Sequence, residues 1–174
     1  MYSFGARADC AIWDEPFYAA YLKATGLDHP MRSEILNAGI QETDKVISAC
    51  LEQPRNGETV FYQKHMTHHM IPEISRGWIR DFQNVFLIRE PARVIASYSA
   101  KRENPTLDDI GFRQQAELFD QICQNEGKPP PVVDSFDIRS DPEKSLRKLC
   151  LAIGLEFDPA MLSWEKGGNK DDGV

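Results

Sequence analysis

The stretch VFLIREPARVIASY, residues 85–98, places an apolar run, an arginine and a proline in close succession. The run at residues 85–88 has the length and composition of a strand that is covered on both faces. Arg89 follows it directly, and Pro91 suits the first turn of a helix. This order predicts a strand that leads straight into a helix, with Arg89 at the carboxyl end of the strand.

Strands and helices alternate in the same way along the rest of the chain. Apolar runs at residues 10–13, 59–63 and 132–136 predict three further strands. Helical patterns predict helices at residues 17–24, at 43–53 with Thr43 as the cap, from Pro91 to about Arg102, from Thr106 onward after a break at Asn104–Pro105, and from Asp141–Pro142 to Gly154. The alternation indicates an α/β fold with a mostly parallel sheet.

Arg89 is a candidate anion ligand because of its place in this pattern. Ligands of open parallel sheets bind outside the carboxyl ends of the strands. The helix that begins at Pro91 would direct its free N–H groups and positive dipole end to the same place, which favours a phosphate. Ser97 follows about two turns later, roughly 9 Å along the helix. The alternative is that Arg89 pairs with a nearby carboxylate and Ser97 faces solvent; the spacing leaves both open.

The composition of the chain excludes several classes of function. Its 174 residues suggest one domain, with 41% hydrophobic and 27% charged residues. The net charge of -7 argues against a nucleic-acid or anionic-membrane binder. No apolar run approaches the ~20 residues of a membrane span, and the first residues lack the pattern of a signal peptide. The four cysteines are scattered, which predicts reduced thiols and a cytoplasmic protein.

Four stretches of the chain together resemble the sulfotransferase family, and in particular its bacterial sulfotransferase-like branch. VFLIREPARVIASY is similar to the segment that binds the 3′-phosphate, where Arg89, Ser97 and Tyr98 match. VFYQKHMTHHMIP (60–72) resembles the strand that leads to the catalytic histidine, and DSFDIRSDPEKSLRKLCLAIGL (134–155) resembles the acidic-aromatic strand with its following helix. DEPFYAAYLKATGLDHP (14–30) resembles the opening of the bacterial branch.

The resemblance implies a fold, a co-substrate and roles for individual residues. The fold would be a P-loop NTPase-like layout, with a mostly parallel sheet and helices on both faces. The co-substrate would be 3′-phosphoadenosine 5′-phosphosulfate, held at its 3′-phosphate by Arg89 and Ser97, and a small-molecule hydroxyl or amine would accept the sulfuryl group. His65 would act as the base, Lys64 would neutralise the leaving group or the sulfuryl oxygens, and Glu15 is the second candidate base.

The sequence also departs from the family pattern. It contains neither a Pro-x-Ser-x-Ser-Thr loop nor a GxxxxGK[ST] loop for the 5′-phosphosulfate. We therefore expect one incomplete domain over residues 1–174, truncated at both ends, without the first strand and phosphate loop and with a mobile tail at 164–174. Ser135 stands where cytosolic members often have a tyrosine. Two alternatives remain open: a non-catalytic sulfotransferase-like remnant or binding module, and a relative of P-loop-type small-molecule kinases.

The histidines invite a metal hypothesis. His65, His68 and His69 would share one face of a helix. No HExxH motif is present, and no carboxylate lies within the cluster at ligand spacing. We therefore expect no metal, and equally no nucleic-acid or membrane partner. The sequence does not predict the oligomeric state.

Overall fold

A computed structural model describes residues 1–54, 56–100, 106–165 and 167. The chain forms two compact units, one made of Met1–Trp78 with the residues from Asp158 onward, and the other of Ile79–Phe157. The strands are β1 Cys10–Asp14, β2 Val60–Lys64, β3 Phe86–Ile88 and β4 Val132–Asp134. The α-helices are α1 Tyr2–Gly5, α2 Tyr18–Thr25, α3 Arg32–Ala38, α4 Thr43–Leu51, α5 Pro91–Ser99, α6 Leu107–Ile110, α7 Phe112–Glu126, α8 Ser135–Ser140 and α9 Pro142–Ile153.

The first unit contains a parallel pair of strands. β1 and β2 pair from Cys10 opposite Val60 to Asp14 opposite Lys64. Parallel strands need a long crossover connection, which α2, α3 and α4 supply. Both strands were predicted, and each extends one residue further at its carboxyl end than expected. Asp14 and Lys64 therefore form the last pair of the ladder.

Helices α2 and α3 pack closely against each other. Their buried contact consists of Ala19, Leu22 and Ile35. Gly39 follows α3 so near to α2 that an added Cβ atom would lie 2.6 Å from the Cβ of Ala19. Glycine is required here by the close approach of the two segments, since its own φ of -97° is ordinary.

The second unit contains the other parallel pair. β3 and β4 pair from Phe86 opposite Val132 to Ile88 opposite Asp134. The Phe86 ring meets the Phe119 ring of α7 edge-on at 5.4 Å between centroids. Leu87 points to the other side and is 57% exposed. The prediction of a strand covered on both faces is therefore wrong, because the described part of the unit covers the Phe86 side of this three-residue strand and leaves the Leu87 side exposed.

Two predicted boundaries are wrong, and side-chain capping explains one of them. The fourth strand ends at Asp134 rather than at residue 136, because the Asp134 carboxylate accepts a hydrogen bond from the Phe136 N–H at 2.8 Å and so begins α8. At α4 the predicted cap is also wrong: Glu42 is the N-cap and Thr43 is the first helical residue.

The predicted starts of two other helices are confirmed. Thr106 caps α6 and forms a reciprocal capping box with Asp109. The long helix expected after it is interrupted at Gly111, whose φ of +72° ends α6 before α7 begins. Helix α9 lies where Asp141–Pro142 and Gly154 predicted it.

The α/β class with parallel strands is confirmed; the described residues form two sheets of two strands each, with no pairing between β2 and β3, and most of the regular structure is helical. Helix α5 ends at Ser99; its predicted end at Arg102 and the break at Asn104–Pro105 lie outside the described residues. The tail expected at 164–174 also falls mostly outside them, although the described Trp164 stacks on Tyr2 at 5.6 Å. Among the helices described, none has the length and apolar character that crossing a membrane requires.

Candidate functional site

In the first unit, the carboxyl ends of β1 and β2 bring three charged side chains together. The Lys64 Nζ lies 2.9 Å from the Asp14 Oδ1 and 2.6 Å from the Glu15 Oε1. The Asp14 side chain is 12% exposed, that of Glu15 22% and that of Lys64 35%. Two carboxylates thus share one ammonium group at an edge of the sheet that solvent reaches.

The backbone of Glu15 has an unusual conformation. Its φ is +48°, in the left-handed region that residues other than glycine rarely adopt. Its N–H nevertheless donates to the Lys64 carbonyl at 2.9 Å, which extends the parallel ladder by one bond. Successive side chains of a strand point to opposite faces, so Glu15 in an extended conformation would point away from Asp14. The left-handed turn brings its carboxylate to the same ammonium group.

The pairing keeps Lys64 charged. Partial burial lowers the pKa of Lys64, but its hydrogen bonds and charge interactions with Glu15 and Asp14 outweigh that effect, so the pKa is raised above its ordinary value. The sequence predicted that Lys64 would neutralise a substrate anion. In the structure its charge is already shared by two carboxylates, so the three side chains together carry one net negative charge, and the Met1 amino group interacts electrostatically with both Lys64 and Asp14.

His65 lies beside this cluster in sequence but has different surroundings. The Gln63 Nε2 donates to the carbonyl oxygen of Cys50 at 2.8 Å, and the Gln63 Oε1 lies 3.2 Å from the His65 Nε2. A carbonyl oxygen can only accept, so the amide must present its oxygen to His65, and the Nε2 must carry the proton. The Nδ1 is buried and has no hydrogen-bond partner among the described residues.

Aromatic rings surround the imidazole of His65. The centroids of Phe17 and Trp78 lie 5.9 and 5.5 Å from that of His65. Burial lowers the pKa of His65 to about 4. His65 is therefore neutral at pH 7.

The other histidines do not share a helix face with His65. A 3₁₀-helix spans only Thr67–His69, and His65 precedes it, so this part of the metal hypothesis is wrong. His69 is buried against the rings of Tyr18 and Tyr21, at 4.9 and 4.7 Å between centroids. Burial is the main cause that lowers the pKa of His69 to about 2. Within the described ranges, no three His, Cys, Asp or Glu side chains are grouped so as to hold a metal ion.

In the second unit, Arg89 lies at the carboxyl end of β3, as the sequence predicted. Its side chain is exposed and makes no ion pair or hydrogen bond with any residue that the structure describes. The neighbouring carboxylate, Glu90, accepts instead from the Arg93 Nε at 2.8 Å. Among the described residues, Arg89 therefore does not pair with a nearby carboxylate, which was the alternative.

Helix α5 begins directly after Arg89. Pro91 occupies its first turn, and no side chain caps its N-terminus. Ser97 is exposed on this helix, and neither Arg89 nor any other described residue hydrogen-bonds to it. Arg93 lies one turn before Ser97, on the same side of the helix. Ser135 begins α8 directly after Asp134, the residue that pairs with Ile88 at the end of the ladder.

Comparison with known proteins adds the family. All of residues 1–174 match the family described as sulfotransferase domain. The chain belongs to that family. Two relatives from Arabidopsis thaliana are similar to this sulfotransferase domain: branched-chain-amino-acid aminotransferase-like protein 2, at 31% identity, and protein 1, at 32% identity. Each match covers 100% of this chain and 31% of the relative, so the chain spans about a third of their length. No solved structure matches.

Two residues next to the candidate residues of this sulfotransferase domain were not singled out from the sequence. They are Asp14, which the sequence presents as part of a strand stop, and Arg93. The parallel register would have identified Asp14, because the last residue of β1 lies opposite Lys64, the last residue of β2. The helical spacing of four from Ser97 would have found Arg93.

Proposed function

We propose that this sulfotransferase domain transfers a sulfuryl group from 3′-phosphoadenosine 5′-phosphosulfate to a hydroxyl or amine of a small-molecule acceptor, within a P-loop-like layout. The observation that carries the proposal is Arg89, an exposed guanidinium with no partner among the described residues, at the carboxyl end of a parallel strand and next to the N-terminus of α5. Guanidinium groups and helix N-termini both favour phosphate. Arg89 and Ser97 hold the 3′-phosphate in this proposal.

Glu15 is the general base of the proposed reaction. Support for Glu15 over His65 comes from access and protonation. Glu15 is partly exposed and engages Lys64 through Oε1, so Oε2 is left for an acceptor proton. In His65 the Nε2 already donates to Gln63, and the Nδ1 is buried, so neither nitrogen is open to an acceptor proton. A pKa of about 4 also makes His65 a weak base at neutral pH.

The proposed step balances without a further reactant. The acceptor hydroxyl gives its proton to the Glu15 Oε2 while its oxygen bonds to the sulfur. The bond between the sulfur and the 5′-phosphate oxygen breaks, and 3′-phosphoadenosine 5′-phosphate leaves with the electron pair. Lys64 has three N–H donors. Two are taken by carboxylates, and the third stabilises the charge that develops on the sulfuryl or leaving oxygens.

Binding of 3′-phosphoadenosine 5′-phosphate tests the first half of the proposal. In isothermal titration, Arg89→Ala should weaken binding by roughly ten- to a hundredfold, as expected for a charge-assisted contact of ~1.5–3 kcal/mol. Arg80→Ala is the matched control, because Arg80 is an exposed arginine of the same unit. Equal affinities of the two variants would contradict the role of Arg89. Failure of the parent protein to bind would favour the non-catalytic remnant.

A transfer assay with a panel of hydroxyl and amine acceptors tests the second half. Glu15→Gln should lower the rate by ~10²–10⁴, the usual scale for a general base, whereas His65→Gln should keep most of it. The reverse order would assign the base to His65. Transfer of the terminal phosphate of ATP in place of the sulfuryl group would favour the kinase alternative. The aminotransferase in the relatives' names describes longer proteins, and we base the proposal on the family match that covers this whole chain.

A further inference from the structure

The last pair of the β1–β2 ladder points to a role for Asp14 that rests on the proposed function. Asp14 and Lys64 are directly opposite each other, and their side chains form an ion pair of 2.9 Å. The Asp14 side chain, 12% exposed, is the most buried of the three charged groups. A buried carboxylate on a strand is a more rigid anchor than an exposed one, because packing restricts its rotamers.

Lys64 needs such an anchor. A lysine ammonium is a point charge on a flexible four-carbon stem, and by itself it does not direct its N–H groups. Two carboxylates on two sides of the same nitrogen fix two of the three N–H directions, and tetrahedral geometry then fixes the third. The Lys64 side chain is 35% exposed, and its ammonium contacts no third acceptor among the described residues.

The left-handed backbone of Glu15 makes this arrangement possible. Without a φ of +48°, only Asp14 would lie on the Lys64 side of the sheet. A strained conformation persists where its surroundings determine it, and such conformations cluster at functional sites. The strain at Glu15 and the pairing of Asp14 thus serve the same lysine.

We propose that Asp14 is a positioning residue, which holds the Lys64 ammonium so that its third N–H points to the sulfuryl or leaving oxygen of the bound donor. Asp14 touches neither substrate. It acts through Lys64, while Glu15 acts on both Lys64 and the acceptor.

The charge of the cluster gives this role a kinetic signature. Asp14→Asn keeps the size and an acceptor oxygen but removes one negative charge beside Lys64, Glu15 and the nearby Met1 amino group. The donor is a polyanion, so its KM should fall a few-fold as repulsion is removed. The kcat should fall at least about tenfold, because a loosely held ammonium misses the developing charge. A residue needed only for stability would not lower KM and kcat together.

A titration of Lys64 supplies a readout that needs no activity. In protein labelled with ¹³Cε-lysine, the Lys64 signal is identified by its loss in Lys64→Arg. Asp14 is one of the causes that raise the pKa of Lys64, so Asp14→Asn should lower that pKa. Asp108→Asn removes an exposed carboxylate from an ion pair in the other unit and is the matched control. Asp14→Glu keeps the charge with a longer stem, and should keep the raised pKa while kcat falls.

Each outcome decides one point. An unchanged Lys64 pKa in Asp14→Asn, equal to that in Asp108→Asn, would overturn the pairing. A lowered pKa with an unchanged kcat, or a full kcat in Asp14→Glu, would overturn the positioning role. If the parent protein transfers no sulfuryl group, the proposed function fails, and the role of Asp14 fails with it even where the titration shows the ion pair. Circular dichroism of each variant verifies that it is folded.

Discussion

Replacing Glu15 by glycine and by alanine separates the backbone strain at this residue from the ion pair of its side chain. The φ of +48° is costly for any residue with a Cβ atom and costs glycine almost nothing. Both replacements remove the 2.6 Å contact with Lys64 and keep the backbone hydrogen bond to the Lys64 carbonyl. The difference in stability between the two variants therefore measures the backbone alone.

The expected difference follows from two opposed terms. Relief of the left-handed conformation favours glycine by ~1–2 kcal/mol. The greater freedom of glycine in the unfolded chain favours alanine by ~0.4–1 kcal/mol. Glycine should thus give the more stable variant by on the order of 0.5–1 kcal/mol, which corresponds to roughly 1–4 °C in Tm for a chain of this length.

Glu52 provides the matched control, because it ends α4 with an ordinary φ of -70°. There the second term acts alone, so Glu52→Ala should be more stable than Glu52→Gly by ~0.4–1 kcal/mol. The four variants are compared by urea unfolding with a common m-value. The order of glycine and alanine should reverse between the two positions. If glycine and alanine variants had the same order of stability at Glu15 and Glu52, the reasoning that the Glu15 backbone is strained would be refuted.

Two further predictions concern stability. Gly39→Ala should lower the free energy of unfolding by ~1–3 kcal/mol, because the added Cβ would lie 2.6 Å from the Cβ of Ala19. Gly77→Ala is the control and should not lower it, because no neighbour would lie closer than 4.0 Å to its Cβ. Similar urea midpoints for the two variants would contradict the close packing at Gly39. The pKa of His69 is about 2 in the folded protein and 6.5 in the unfolded chain, so the unfolded state binds more protons below pH 6.5. Stability should fall by up to about 1.4 kcal/mol per pH unit as the pH drops from 6 to 4; His69→Phe should remove that share of the slope, and an unchanged slope would refute it.

Short-range signals explain which parts of the fold were predictable. Asp141 and Pro142 mark the start of α9 and Gly154 its end, and the structure agrees because caps and turns are set by neighbours in sequence. Asp134 carries the same kind of signal, since an aspartate before a helical segment is a good N-cap. The high strand propensity of Phe136 favours a longer strand, but the cap at Asp134 prevails.

Periodicity misled where the element was too short to have a period. His65, His68 and His69 have helical spacing, but the chain forms one 3₁₀ turn over Thr67–His69. Similarly, the apolar run of β3 resembles a strand covered on both faces, yet Leu87 is exposed, because cover depends on which elements pack nearby and not on the run itself.

The candidate residues of the two units differ in how far the sequence encodes their placement locally. Arg89, Pro91 and Ser97 lie within one strand–helix junction, so their placement follows from nine consecutive residues and was predicted. The contacts of Lys64 join it to Glu15 and Asp14, which lie 49 and 50 positions earlier in the chain. They depend on the register of two parallel strands and on a left-handed turn at Glu15, and neither follows from local propensity, since a glutamate rarely adopts that turn. Local rules reject a left-handed φ at Glu15, as they do at Met31, and at Glu15 this conformation is what brings the carboxylate to Lys64.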